Sequence, residues 1–464
     1  VKRARRREAA AVAILIAAAA LIRLPCLRTD LWFDEVWSLG FARHAQSLWE
    51  VFVLRHDNSH LLNTLWLYLV AGSSDFAVFR LFSFACGLLT VAALAQDPED
   101  PPRGLLTGTL AAASAVMTLY STEARGYAPM ALCAVLCYRL LPPPGPLRRR
   151  RAAAFSLCAA LGFFAHGTFV FVFAGLGAWA LARYPRQELM RKLLALFAPP
   201  LAVLVLHAAL RGGVIIGGGV EVPFSVVAAR TFILWSGAPD AGFGVILGTA
   251  ALTALCVIEL GRLRKRGDAE FWFHAVLLVS AVAFSLVFPF RAERYLFAGL
   301  PFALILSART LLRMLRGGIG PRLAAVFLIA AFLGGNAARV RALAVDGRGH
   351  YLDAMKRMAA ETPGGVVTWG SDHRARNPML ADFYAPYVVP PKSFVYVGAD
   401  RLASDPPDWY VRHSFETDPR SAPLALTLSP TAAYRLVHVY PYSGMSGWSW
   451  QLYRRERAPG APST

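Results

Sequence analysis

Apolar runs long enough to cross a lipid hydrocarbon layer alternate with short polar stretches from the start of the chain to about residue 341. The first covers residues 9–24; others cover 76–95, 105–120, 127–141, 193–210, 243–260, 271–288, 295–312 and 323–338, and each predicts a helix. Residues 152–182 are long for one straight span and short for two. Both flanks are basic, so an even number of crossings is required, and the stretch predicts a hairpin turning at His166-Gly167. About eleven spans result by the length rule. The run at 60–70 is short and broken by polar residues, and predicts a helix lying along the outer membrane surface.

Beyond residue 341 the pattern changes. Short runs at 365–369, 393–397, 434–440 and 448–453 are rich in β-branched and aromatic residues and separated by Pro- and Asp-rich turns, with a helix near 351–360. The expected architecture is an all-α polytopic membrane domain (1–341) followed by a small α/β domain (342–464).

Composition agrees: 56% of the 464 residues are hydrophobic and 17% charged, which excludes an ordinary soluble globule. The net charge of +19 raises the question of nucleic acid. The arginines and lysines, however, sit in short clusters between apolar runs, where they orient a membrane protein and meet anionic lipid, so no nucleic-acid partner is expected. The stretch Lys2-Arg3-Ala4-Arg5-Arg6-Arg7 and the run behind it read as a signal peptide or a first transmembrane helix. Ile22-Arg23-Leu24-Pro25-Cys26 offers no small-x-small cleavage pattern, which favours a retained helix with a cytoplasmic N-terminus. Clusters at 148–151, 183–192, 262–266 and 313–322 mark further cytoplasmic loops, and an odd span count puts the C-terminal domain outside. The loop Asp97-Pro98-Glu99-Asp100 is acidic where a cytoplasmic turn is expected. Cys26, Cys86, Cys133, Cys137, Cys158 and Cys256 lie in or beside apolar runs and read as small apolar residues, neither disulfides nor metal ligands.

Candidate chemistry begins at Leu31-Trp32-Phe33-Asp34-Glu35-Val36-Trp37-Ser38, just past the first span. Two carboxylates among interfacial aromatics are costly unless they bind or react; a helix cap is the plainer alternative. With the topology above, Asp34 and Glu35, the group His56, Asp57, Asn58 and His60, the group Ser121, Glu123, Arg125 and Tyr127, then His166, and finally Arg291, Glu293, Arg294 and Tyr295 all fall on the outer face, as a single extracytoplasmic site would require. Arg291 and Arg294 run against the orientation bias; a bound phosphate or an ion pair with Glu293 would account for them.

Trp32-Phe33-Asp34-Glu35-x-x-Ser38, Asp57-Asn58-Ser59-His60-x-Leu62-Asn63-Thr64-Leu65, Tyr120-Ser121-Thr122-Glu123-Ala124-Arg125-Gly126-Tyr127, His166-Gly167 and Glu293-Arg294-Tyr295-Leu296 with Pro301 together resemble the GT-C glycosyltransferases of the protein mannosyltransferase and aminoarabinose-transferase type. The resemblance covers most of residues 1–341. It implies a multi-pass protein of the cytoplasmic (inner) membrane, acting in the cell envelope, that moves a sugar from a polyprenyl-phosphate donor to a hydroxyl of a lipid, glycan or protein acceptor with inversion. It implies Asp34 as base with Glu35 beside it and Glu123 as the second acidic position. Arg125 and Arg294 are candidates to stabilise the leaving phosphate, and His60, Asn63, Tyr127, Arg291 and Tyr295 are further substrate-binding candidates; the plainer readings are polar residues on an interfacial helix for His60 and Asn63 and an interface anchor for Tyr127. Ser59-His60-Leu61-Leu62 stands where many relatives carry His-Pro-Pro or Lys-Pro-Pro.

No residues show strong metal-ligand spacing, although Asp34, Glu35, Asp57 and Glu123 are the oxygen ligands a divalent cation takes. The competing class is a lipid-linked sugar flippase or transporter, which would place polar residues in the middle of spans. Here His207, Glu259 and His274 lie toward span ends.

Overall fold

The computed structural model describes residues 2–58, 60–217, 221–239, 242–288, 291–430 and 432–456, with side chains from residue 6 onward; Ser59 of the second motif lies outside them. Contacts divide the chain into two compact units, Val1–Leu24 with Phe41–Val340, and Pro25–Gly40 with Arg341–Thr464. The segment carrying Asp34 and Glu35, placed by the sequence in the membrane domain, groups with the C-terminal unit.

The first unit is helical and makes the chain a multi-pass membrane protein. Among the described residues, seven helices are long and apolar enough to cross a membrane: Arg6–Leu27, Phe76–Ala95, Arg186–Arg211, Phe243–Lys265, Glu270–Val287, Glu293–Leu315 and Ile319–Val345. Pro101–Ala113 and Ala115–Ser121, bent by 67°, make an eighth if counted as one span. Three other expected spans are helical but shorter, Tyr127–Leu140 (14 residues), Arg149–Ala165 (17) and Phe169–Arg183 (15). By length the count is therefore seven or eight rather than about eleven, because Pro142 and the His166 turn stop helices before a full span is reached. The expected surface helix is Leu61–Leu69, and it buries Leu61, Asn63, Thr64 and Leu67. All six cysteines are free.

Polar loops at one end of this unit neutralise one another. Arg316 forks onto Asp100 at 3.0 and 3.1 Å, and Arg103 pairs with Asp97, so the acidic loop is matched by the basic cluster beyond Leu315. Near that end Glu270 collects Tyr138, His274 at 3.1 Å and Arg309 at 2.9 Å, and Glu259 pairs with Arg313.

The bend at Ser114 positions the site. A broken helix strands backbone groups that hydrocarbon cannot satisfy. Arg23 donates to the carbonyls of Ala112 (3.0 Å) and Ala111 (3.2 Å), and Asn336 Oδ1 accepts the Ala115 N–H at 2.8 Å. Ser114 caps the next helix by accepting from Met117 N at 3.3 Å. Helix Ala115–Ser121 thus starts in a new direction and ends at the Thr122–Gly126 turn, which carries Glu123 and Arg125.

The second unit is a mixed sheet of six strands, β1 (Val366–Ser371), β2 (Ser393–Tyr396), β3 (Trp409–Ser414), β4 (Ala425–Ser429), β5 (Ala432–Tyr440) and β6 (Ser449–Arg455), in the order β2-β1-β3-β6-β5-β4. β1 runs parallel to β2 and β3; the remaining pairs are antiparallel. Trp369, Trp409, Trp450, Arg348, Tyr351, Tyr384, Tyr434 and Tyr453 are its largest fully buried side chains among the described residues. The sequence predicts neither β3, β4 nor helix Arg376–Tyr384.

Candidate active site

In the first unit three loops distant in sequence converge. His60 precedes helix Leu61–Leu69, Tyr127 opens helix Tyr127–Leu140, and His166 lies between Arg149–Ala165 and Phe169–Arg183. The close approach depends on Gly126, where a Cβ would lie 1.9 Å from the Ala165 carbonyl oxygen and 2.8 Å from His60 Cβ. The imidazoles of His60 and His166 stack at 4.7 Å and 16°, and Tyr127 packs on both at 5.7 and 4.4 Å. Tyr120 and Phe297 continue the wall at 4.5 Å from Tyr127 and 4.4 Å from Tyr120.

Charge is concentrated against this wall. Arg125 is buried, donates to Asn58 Oδ1, and holds its guanidinium carbon 5.9 Å from the centre of the Tyr127 ring. Its carbonyl accepts from Ser83 Oγ at 2.9 Å, and Asn63 Nδ2 donates to the neighbouring Ala124 carbonyl at 2.6 Å. Burial, reinforced by the charges of Arg125 and Arg294, holds His60 well below the ordinary imidazole range and His166 at about 3. Both rings are therefore neutral. His166 Nδ1 accepts the Thr168 N–H at 3.1 Å, so this residue is a turn former and a wall member together. His60 is hydrogen-bonded to the Ala165 carbonyl, and its Nε2 and Asn63 Oδ1 are buried without a partner among the described residues. Such orphans are what a ligand completes. Glu123 is fully buried in the same turn.

Of the other candidates, Arg294 acts on this wall through its charge, while Arg291, Glu293 and Asp57 are engaged by other partners. Arg294 lies over Tyr295, 5.7 Å from the ring centre, and Tyr295 packs against Phe284 and Phe288 at 6.1 Å. Arg291 is committed to backbone, donating to the carbonyls of Ser285, Leu286 and Val222, the first two at the end of helix Glu270–Val287. Glu293 pairs with Arg230 at 2.9 Å, not with the neighbouring arginines the sequence offers. Asp57 pairs with His56 at 2.9 Å. Among the described residues no group of three or more His, Cys, Asp or Glu side chains is arranged to hold a metal ion.

In the second unit, Trp32 N donates to Glu35 Oε2 at 3.3 Å across the first turn of helix Phe33–His44, half of a capping box. Glu35 also stands 3.8 Å from Arg348 Nε, and both side chains are 0% exposed. The plain alternative of a helix cap is thus realised by Glu35. Asp34 is buried in the same turn, where the helix N-terminus favours a carboxylate, and its carbonyl accepts Ser38 Oγ at 2.9 Å. Arg348 is absent from the sequence-level candidates because nothing local distinguishes it from the other arginines of the chain.

No family model matches the sequence, and no curated protein matches it. Solved structures do. The crystal structure of ArnT from Cupriavidus metallidurans in the apo state aligns with a TM-score of 0.51 at 13% identity, over 95% of this chain and 97% of that one. The same protein bound to undecaprenyl phosphate aligns with a TM-score of 0.53 at 12% identity, over 97% of this chain and 99% of that one. Likeness at such identity speaks for the fold: over nearly its whole length this chain folds like ArnT, as the resemblance read from its loop motifs implies.

Proposed function

We propose that the chain is a membrane glycosyltransferase that moves a sugar from a polyprenyl-phosphate donor to an acceptor hydroxyl at the outer face of the cytoplasmic membrane, with inversion at the anomeric carbon. The observation that carries this reading is the buried Arg125 against the wall that holds the neutral His60–His166 stack, with the charge of Arg294 acting on both rings, beside the buried Glu123. In such a transfer the anomeric carbon exchanges its bond to a phosphate oxygen for one to the acceptor oxygen. The donor is a phosphodiester and the leaving group a phosphomonoester, so negative charge on the phosphate grows in the transition state. Two guanidinium groups beside the phosphate stabilise that growth most where it develops. Neutral imidazoles suit the same pocket, since His60 Nε2 and Asn63 Oδ1 offer acceptor atoms to sugar hydroxyls. The acceptor proton passes to a carboxylate, for which Asp34 is the candidate base, with Glu35 as its positioning neighbour. The crystallised ArnT that holds undecaprenyl phosphate supports a lipid-phosphate donor for this fold.

The test is turnover. Purified protein is incubated with a panel of polyprenyl-phosphate-linked sugars and an envelope lipid and glycan extract, and release of polyprenyl phosphate is followed together with the new glycoside. Release that depends on acceptor supports the reading, and absence of release from every donor overturns it. Cysteine labelling of residues 351–453 from the cytoplasmic side would overturn the outer-face part alone.

A further inference from the structure

The C-terminal unit carries polar and aromatic groups that the transfer chemistry does not use. β1 lies between β2 and β3 and runs parallel to both. The chain leaves β1 through residues 372–375 and helix Arg376–Tyr384 toward β2 on one side, and later returns as β3 on the other. A crevice at the carboxyl ends of parallel strands, where connections diverge to opposite sides, is where open sheets bind ligands.

Asp372 follows β1 and His413 lies near the end of β3. The Asp372 carboxylate receives the His413 N–H at 3.2 Å and pairs with His413 Nδ1 at 3.0 Å, so its position is fixed while it remains exposed. Arg376 holds its guanidinium 5.7 Å from the Phe33 ring centre and 5.8 Å from that of Trp448, and this guanidinium donates no hydrogen bond among the described residues, while the Arg376 N–H donates to His373 Nδ1 at 3.1 Å. Trp448 is 2% exposed and its indole N–H has no acceptor among the described residues. A ligand hydroxyl reaching this N–H would satisfy it, where a buried unpaired donor costs about 1–3 kcal/mol. Phe415 is 53% exposed, with its ring 6.2 Å from that of Trp448 and 5.7 Å from His413.

A fixed acceptor carboxylate, a guanidinium fork, an indole N–H and an open aromatic face suit a ring with one apolar face and hydroxyls around its edge. We propose that Asp372, His413, Arg376, Trp448 and Phe415 form a saccharide-binding site that holds the sugar portion of the acceptor. The binding site stands on its own geometry, and its assignment to the acceptor rests on the glycosyltransferase reading.

The full chain, reconstituted in nanodiscs free of glycoside detergent, is titrated with methyl α-D-glucopyranoside, methyl α-D-mannopyranoside and methyl β-D-galactopyranoside, and saturation-transfer NMR reads binding. At least one glycoside should bind saturably. Phe415→Ala and Asp372→Asn, both at exposed positions, should each weaken it on the order of tenfold, with thermal midpoint and undecaprenyl-phosphate binding unchanged. Saturable binding by none of the three, or binding that both variants leave intact, overturns the site. Glycoside binding in a protein that releases polyprenyl phosphate from no donor would leave the site standing and remove the glycosyltransferase reading instead.

Discussion

His60 and His166 stack their imidazoles 4.7 Å apart and nearly parallel, each kept neutral by burial and by the positive charge of Arg125 and Arg294. A pair of rings held this way makes stability depend on pH. Well above pH 6.5 both are neutral in the folded and the unfolded chain. As pH falls through 6.5 the unfolded chain takes up protons that the folded one refuses, in the case of His166 until about 3. Stability should therefore fall with pH across that window, by up to about 1.4 kcal/mol per unit for each ring. His166→Asn keeps an acceptor for the Thr168 N–H but cannot titrate, so its thermal midpoint should fall less steeply between pH 6.5 and 4.5 than that of the wild type. Equal slopes would mean that His166 takes up its proton in the folded chain as readily as in the unfolded one.

Arg294 and Arg291 share a loop; the Arg291 guanidinium donates to three carbonyls, while Arg294 lies over the Tyr295 ring and its charge acts on the His60–His166 pair. Arg294→Ala should weaken undecaprenyl-phosphate binding roughly tenfold to a hundredfold, the worth of a hydrogen bond to a charged group. Arg294→Lys should fall between, keeping charge without the fork. Unchanged binding in the alanine variant would move the phosphate site elsewhere.

Asp34 and Glu35 should part under isosteric substitution. Asp34→Asn cannot accept a proton, and loss of general-base help costs about a hundredfold to ten-thousandfold in turnover while the thermal midpoint holds. Glu35→Gln weakens the capping interaction and deprives the buried Arg348 of a charge, a loss of about 1–3 kcal/mol, read as a lower thermal midpoint. A stable Asp34→Asn protein with near-normal turnover would remove Asp34 from the mechanism.

Arg23 and Asn336 satisfy the broken helix at Ser114 from two other helices. Arg23→Met leaves two carbonyls unpaired and should cost about 2–5 kcal/mol; Asn336→Leu strands one N–H and should cost about 1–3 kcal/mol. Both should reduce turnover as well, since the Thr122–Gly126 turn hangs from this bend. Full activity in a destabilised Arg23→Met protein would show that the bend does not set the site.

Much of this protein is legible locally. Apolar runs report the cost of placing each segment in hydrocarbon, which depends on the segment's own residues. Helices therefore occupy the expected stretches, the hairpin turns at His166, and the composition shift near residue 341 announces the sheet. The acidic pair and the Glu123 to Tyr127 turn stand out for the same reason, as polar groups where apolar ones are cheaper.

Neighbourhood was decided only by the tertiary structure. β3, in the middle of the sheet, carries no clear alternation, and its partners β1 and β6 are distant in the chain. Nothing near Arg23 or Asn336 in sequence says that they mend a helix broken at Ser114, and nothing near Arg348 says that it faces Glu35. Arg291 and Arg294 are equivalent in the sequence and unlike in the fold, because which carbonyls and aromatic rings lie within reach of a guanidinium is settled by how helices pack, and helix packing is a property of pairs of segments that no single segment encodes.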